Sequence, residues 1–174
     1  MPHIINSVTL EKIPSSQCNV IENLVQLYLH DFSEFATVGS EYGEVGSDGR
    51  FAYRGLDSYW REDGRVPYVI RAEDRLVGFA LVNQWSALAR PVDQAVAEFF
   101  ILRKYRRIGI GRRAARLMFE SCRGRWEIPV AAYNQSALSF WRRIVLTAVE
   151  QTVEEHSRDG DRWSGTGLCF DNRK

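Results

Sequence analysis

Residues 95–123 read AVAEFFILRKYRRIGIGRRAARLMFESCR, and the side-chain period changes part-way through them. Over residues 95–102, Val96, Glu98, Phe100 and Leu102 alternate with Ala97, Phe99 and Ile101, the two-residue period of a strand. Both faces are mostly apolar, which predicts a central strand with Glu98 as its unusual member. Further on, Ala114, Leu117, Met118 and Cys122 share one helical stripe, while Arg112, Arg113, Arg116 and Arg123 stay mostly outside it. Strand, basic turn and helix therefore form one unit. Within the turn, Arg106-Arg107-Ile108-Gly109-Ile110-Gly111 combines glycines that let a backbone approach a ligand with arginines and a following helix N-terminus. Oriented amides, the positive end of a helix and guanidinium groups are chemistry for phosphate, and a pyrophosphate fits such a cradle.

Upstream, residues 66–72 and 75–82 are two extended runs joined at Glu73-Asp74, short enough for an antiparallel hairpin. Residues 4–13, with Ile4, Ile5, Val8, Leu10 and Ile13, predict a first strand ahead of Pro14. Asn19 and Glu22 have capping-box spacing, and Ile21, Leu24, Val25 and Tyr28 then mark the inward face of a helix ending near His30. Residues 31–64 lose periodicity and mix aromatics (Phe32, Phe35, Tyr42, Phe51, Tyr53) with acids (Glu34, Glu41, Glu44, Asp48), which suits a partly ordered loop over a site. Downstream, Ile128, Val130 and Ala132 suggest a strand. Asn134 is placed to cap a helix with Ala137, Phe140, Trp141 and Ile144 on one face. Two last strands are predicted around residues 147–156 and 163–170, turning at residues 158–161. The expected fold is one α/β domain of α+β type over residues 1–174, a mixed, mostly antiparallel sheet of six or seven strands flanked by helices.

Composition narrows the function classes. Among 174 residues, 23 Lys and Arg oppose 22 Asp and Glu, so the formal charge of +1 argues for neither a nucleic-acid nor a membrane partner. Cys18, Cys122 and Cys169 form no CxxC pair, and His3, His30 and His156 form no HExxH pattern, so we expect no disulfide framework and no metal. The N-terminus shows no basic segment followed by an apolar run, and a reducing cytoplasm is the expected setting.

The turn and its surroundings resemble the GNAT superfamily of acyl-CoA-dependent N-acyltransferases, whose main motif, [RQ]-x-x-G-x-[GA], is met by Arg106, Gly109 and Gly111. The EFFIL strand, the upstream RLVGFALV strand and Asn134-x-x-Ala137-x-x-Phe140 follow in the family's order over roughly residues 65–145. The resemblance implies acetyl-CoA as co-substrate. Phe100 and Ile101 would lie in the strand holding the pantetheine arm, and Arg106, Arg107, Ile108, Gly109, Ile110, Gly111 and Arg112 would hold the pyrophosphate. Asn134 would lie beside the arm, with Ala137 and Phe140 packing the wall. It also implies a splayed gap between the fourth and fifth strands, where Pro129 is tolerable.

Glu98 is the candidate base, its pKa raised by apolar neighbours, with an exposed strand-end position or a salt bridge as its structural alternatives. Trp141 stands where many relatives carry a tyrosine proposed to protonate the leaving thiolate; Tyr133 or water is a possible substitute. The acceptor is expected to be a small amine, drawn by acids and aromatics, and the protein a monomer or homodimer. Two alternatives stay open: a non-catalytic acyl-CoA-binding module, and a dinucleotide-binding fold, because Gly109 to Ala114 also reads GxGxxA.

Overall fold

The computed structural model describes residues 5–41, 43–149, 152–160 and 163–173. His3, Ile4, Tyr42 and Asp161, used above, lie outside them, as do residues 150 and 151 of a predicted strand. Strands β1 (Val8–Lys12), β2 (Val66–Ala72), β3 (Arg75–Asn83), β4 (Gln94–Ile101), β5 (Arg125–Ala131), β6 (Glu154–Arg158) and β7 (Gly165–Asp171) form one sheet in the order β1-β2-β3-β4-β5-β7-β6. Helices α1 (Cys18–Phe32), α2 (Ile110–Ser121) and α3 (Gln135–Ala148) flank it. Only β4 and β5 pair in parallel among the described residues. The repeated parallel units of a dinucleotide-binding fold are absent from them, which overturns the GxGxxA reading.

Local chemistry explains most boundaries. Glu73 and Asp74 take φ of 48° and 65°, the left-handed pair that a two-residue hairpin turn requires. One apolar cluster fills the space between α1 and the sheet through Ile21, Leu24, Val25, Val69, Phe79 and Leu81, and another lies under α2 and α3 around Met118, Phe119, Trp126 and Trp141. Three expectations need correction. A 3₁₀ turn at Ser15–Gln17 leads straight into α1, so Asn19 lies inside the helix and no capping box forms. Helix α3 runs on through Ala148 because Ile144 and Val145 continue its buried stripe, so the next strand begins at Glu154 rather than 147. Ala132 lies beyond the end of β5.

Two irregularities shape β4. Leu81 pairs with Glu98 while the next residue, Val82, pairs with Val96, so Ala97 is an extra residue in β4, a bulge. The inserted residue reverses the faces. Val96 joins the α2/α3 cluster while Phe100 joins the α1 cluster, contrary to the simple alternation read from the sequence. The second feature is divergence. Strands β4 and β5 pair only at Gln94 with Trp126 and Ala95 with Glu127. From Val96 onward that edge of β4 has no strand partner among the described residues, and Pro129 lies in the corresponding part of β5.

Glu127, at the fork where the strands part, is fully buried. Its carboxylate accepts hydrogen bonds from Ser86 Oγ, from Ala87 N at 2.8 Å and from Leu88 N at 3.2 Å, tying the β3–β4 connection to β5. Charged acceptors strengthen such bonds, and a buried donor left without one costs about 1–3 kcal/mol. Glu127→Gln removes the charge that strengthens the two backbone bonds and reverses the bond with Ser86 Oγ, and is therefore expected to lower stability by about 2 kcal/mol. Urea denaturation should show a lower midpoint with an unchanged slope.

Candidate active site

The strand divergence opens into a groove of about 1140 Å³, walled by the outer half of β4, the turn before α2, one side of α3 along most of its length and the end of α1. Its lining brings together Phe100, Ile101, Arg106, Arg107, Ile108, Gly109, Gly111, Arg112, Asn134, Ala137 and Phe140, eleven of the twelve residues singled out for cofactor contact. Ile110 is the exception. It is 1% exposed and packs in the core, because the first turn of α2 buries it against the sheet; only its backbone N–H is left for a ligand.

Gly109 sits at the N-cap of α2 with φ 88°, and Arg107 also takes a positive φ of 62°. The first bond across the helix start runs from Arg113 N to Gly109 O at 3.1 Å, so the amides of Ile110, Gly111 and Arg112 precede the intrahelical ladder. Their free N–H groups, with arginines around them, suit an anion. A Cβ at Gly109 would meet nothing within 4 Å, whereas at Gly111 it would lie 3.3 Å from the Phe140 ring. The two glycines thus serve different needs, conformation at the first and packing at the second. Arg106 is partly engaged elsewhere. Its Nε donates to Ile101 O at 2.7 Å, its guanidinium pairs with Asp31 at the end of α1, and Arg103 joins the same carboxylate at 2.8 Å. Arg106 therefore braces α1 against the end of β4 while it lines the groove. Asn134 caps α3 through Oδ1, which accepts from Ala137 N at 3.1 Å, and its side chain also borders the groove.

Glu98 lies just past the bulge, on the α1 side, and is not itself on the groove wall. Tyr28 donates to Oε2, and Tyr53 donates to Oε1 at 3.0 Å. Burial pushes the carboxyl up to about 7, against the two hydrogen bonds that pull it down. Two hydroxyls hold the carboxylate, half-buried within β4, rather than an ion pair or an exposed strand end. Neither tyrosine was identified as a partner from the sequence, since they lie 70 and 45 residues away along the chain. Trp141 is buried among Phe99, Phe119 and Phe140. Tyr133 is half exposed and rests against Phe35, with ring centroids 5.0 Å apart.

A family model described as "Acetyltransferase (GNAT) family" matches residues 22–145. The chain is a member of the GNAT acetyltransferase family. No curated protein sequence matches it. Among solved structures, an acetyltransferase from Thermus thermophilus superposes with a TM-score of 0.65 at 16% identity, covering 98% of this chain and 100% of that one. The spermidine N-acetyltransferase from Vibrio cholerae, solved with CoA and spermine, gives 0.54 at 14% identity over 94% and 95% of the two chains. The ribosomal-protein-S18-alanine N-acetyltransferase from Escherichia coli gives 0.55 at 11% identity over 94% and 91%. Identities this low establish a shared GNAT fold, and two of these neighbours carry names with unlike acceptors. Among the described residues, no group of three or more His, Cys, Asp or Glu is placed to hold a metal, and no helix is long and apolar enough to cross a membrane.

Proposed function

We propose that this GNAT protein transfers an acetyl or short acyl group from acetyl-CoA to the primary amine of a small molecule, by direct attack of the amine. The observation that carries the reading is the convergence on one groove of a helix N-terminus, an unpaired strand edge and, behind Tyr28, a carboxylate with its pKa near neutrality. The amides of Ile110, Gly111 and Arg112, with Arg107 and Arg112 side chains, suit the pyrophosphate of coenzyme A. The open edge of β4 beyond Val96 offers alternate backbone N–H and C=O groups to the amide-bearing arm. Acetyl-CoA supplies the activated thioester. The chain's own part is to align it, to accept the amine proton on Glu98 and to keep that carboxylate oriented through Tyr53.

Glu34 on the groove wall, together with Phe32 and Phe35, suits a cationic amine. A single chain with three free cysteines fits work in a reducing cytoplasm. Acetyl-CoA presented with a panel of polyamines, aminosugars, aminoglycosides and short peptides should give amine-dependent thiol release with at least one small amine. Binding of acetyl-CoA by calorimetry without thiol release from any of them would establish the non-catalytic module instead. A preference for peptide N-termini would keep the chemistry and change the acceptor class.

A further inference from the structure

Acyl transfer to an amine must deliver two protons correctly: one has to leave the nitrogen and one has to reach the departing sulfur. Glu98 serves the first need. For the second, Trp141 has only an indole N–H, which is not a useful acid. Tyr133 is turned against Phe35 and does not line the groove. Tyr53 is off the groove wall as well, and burial, ahead of the nearby Glu98 charge, holds its hydroxyl far above the ordinary range. Among the described residues, Tyr28 is the one side chain that both hydrogen-bonds Glu98 and lines the groove.

Resting on the acyl-transfer reading, we propose that Tyr28 closes the proton circuit: its hydroxyl protonates the departing thiolate and is itself reprotonated by Glu98. The C–N bond forms as the amine attacks the acyl carbon, and the C–S bond breaks with its electron pair left on sulfur. The proton lost by nitrogen reaches the Glu98 carboxylate through a water, since Glu98 lies behind the groove wall, the Tyr28 phenol gives its proton to sulfur, and Glu98 returns a proton to the phenolate. Carboxylate and phenol end as they began, one proton has moved from amine to thiol, and no further reactant is needed. The placement is rigid: the Tyr28 ring meets Phe79 and Phe100 edge-on, with centroids 5.8 Å away in each case, and Phe32 at 4.4 Å. Tyr28→Phe therefore removes one oxygen and keeps the ring packing.

The test is single-turnover transfer from acetyl-CoA to the acceptor found above, for wild type and Tyr28→Phe, from about pH 6 to 10, with acetyl-CoA affinity measured by calorimetry on the same samples. The circuit predicts a rate plateau lowered by roughly 10- to 100-fold at every pH, because a thiol leaves comparatively well, with unchanged affinity. If Tyr28 only tuned Glu98, losing its hydrogen bond would shift the acidic limb upward and the variant would regain the wild-type rate at high pH. That recovery, or a loss confined to acetyl-CoA affinity, overturns the proposal while leaving the transferase reading intact. Wild-type protein that binds acetyl-CoA and never releases thiol overturns both.

Discussion

Replacing Glu98 by glutamine slows the chemical step of acyl transfer by roughly 10²- to 10⁴-fold at neutral pH and leaves acetyl-CoA affinity unchanged. Glutamine keeps the side chain's length, accepts from one tyrosine through its amide oxygen and donates through its N–H2 to the hydroxyl oxygen of the other, so the packing around the bulge survives. Basicity is lost. In the wild type the working form is the carboxylate, whose pKa lies at about 7, so the single-turnover rate should rise through neutrality as pH increases. In the variant that limb disappears, and only the rise from free amine at higher pH remains. Thermal melts supply a control of opposite sign. An unfolded glutamate titrates at about 4.3, below the folded value, so the folded chain holds this proton more tightly. The associated stability is full below about pH 4 and lost as pH rises through about 7, and Glu98→Gln should lose less stability across that window. A wild-type rate and pH profile in Glu98→Gln would remove Glu98 from the chemistry.

Local signals carried the reading of the sequence a long way, and it stopped where long-range geometry took over. The change of period across residues 95–123 placed β4, the turn and α2 because each is set by neighbours in the chain. Asn134 and the Glu73-Asp74 turn were readable for the same reason, since caps and tight turns are decided by a few adjacent dihedrals. The bulge at Ala97 was not readable: AVAEFFIL alternates cleanly, and the extra residue exists only relative to the register of β3. Nor were the partners of Glu98, because Tyr28 comes from α1 and Tyr53 from the aperiodic stretch 31–64. Glu127 follows Trp126 and precedes Ile128 in a mostly apolar strand, and a carboxylate in such a place is a signal that something must donate to it, although the sequence does not say what. Arg106 shows the reverse limit. Its motif position was plain, but its engagement with Asp31 depends on how the end of α1 meets the end of β4.

Gly109→Val is expected to weaken acetyl-CoA binding by about 100-fold, equivalent to about 2.7 kcal/mol. The sequence suggested that an added side chain would block close approach of phosphate. The structure assigns the effect to the backbone, since a Cβ at residue 109 meets nothing within 4 Å while φ stands at 88°. An L-residue in the left-handed region costs about 1–2 kcal/mol, and for a β-branched one the conformation is a true outlier. Valine must either bear that strain or rotate out of it, and rotation carries the amides of Ile110, Gly111 and Arg112 away from the groove. Because α2 starts at Ile110 and is anchored by core residues Ile110, Ala114 and Met118, the fold should persist while the cradle is lost. Gly111→Val acts by another route, pressing on the Phe140 ring 3.3 Å away, and so should alter the groove wall. Calorimetric titration separates them: Gly109→Asn, whose side chain tolerates positive φ, should retain most of the affinity that Gly109→Val loses, whereas no comparable rescue is expected from asparagine at 111. Unchanged binding in folded Gly109→Val would show that the amides at the head of α2 do not hold the phosphate.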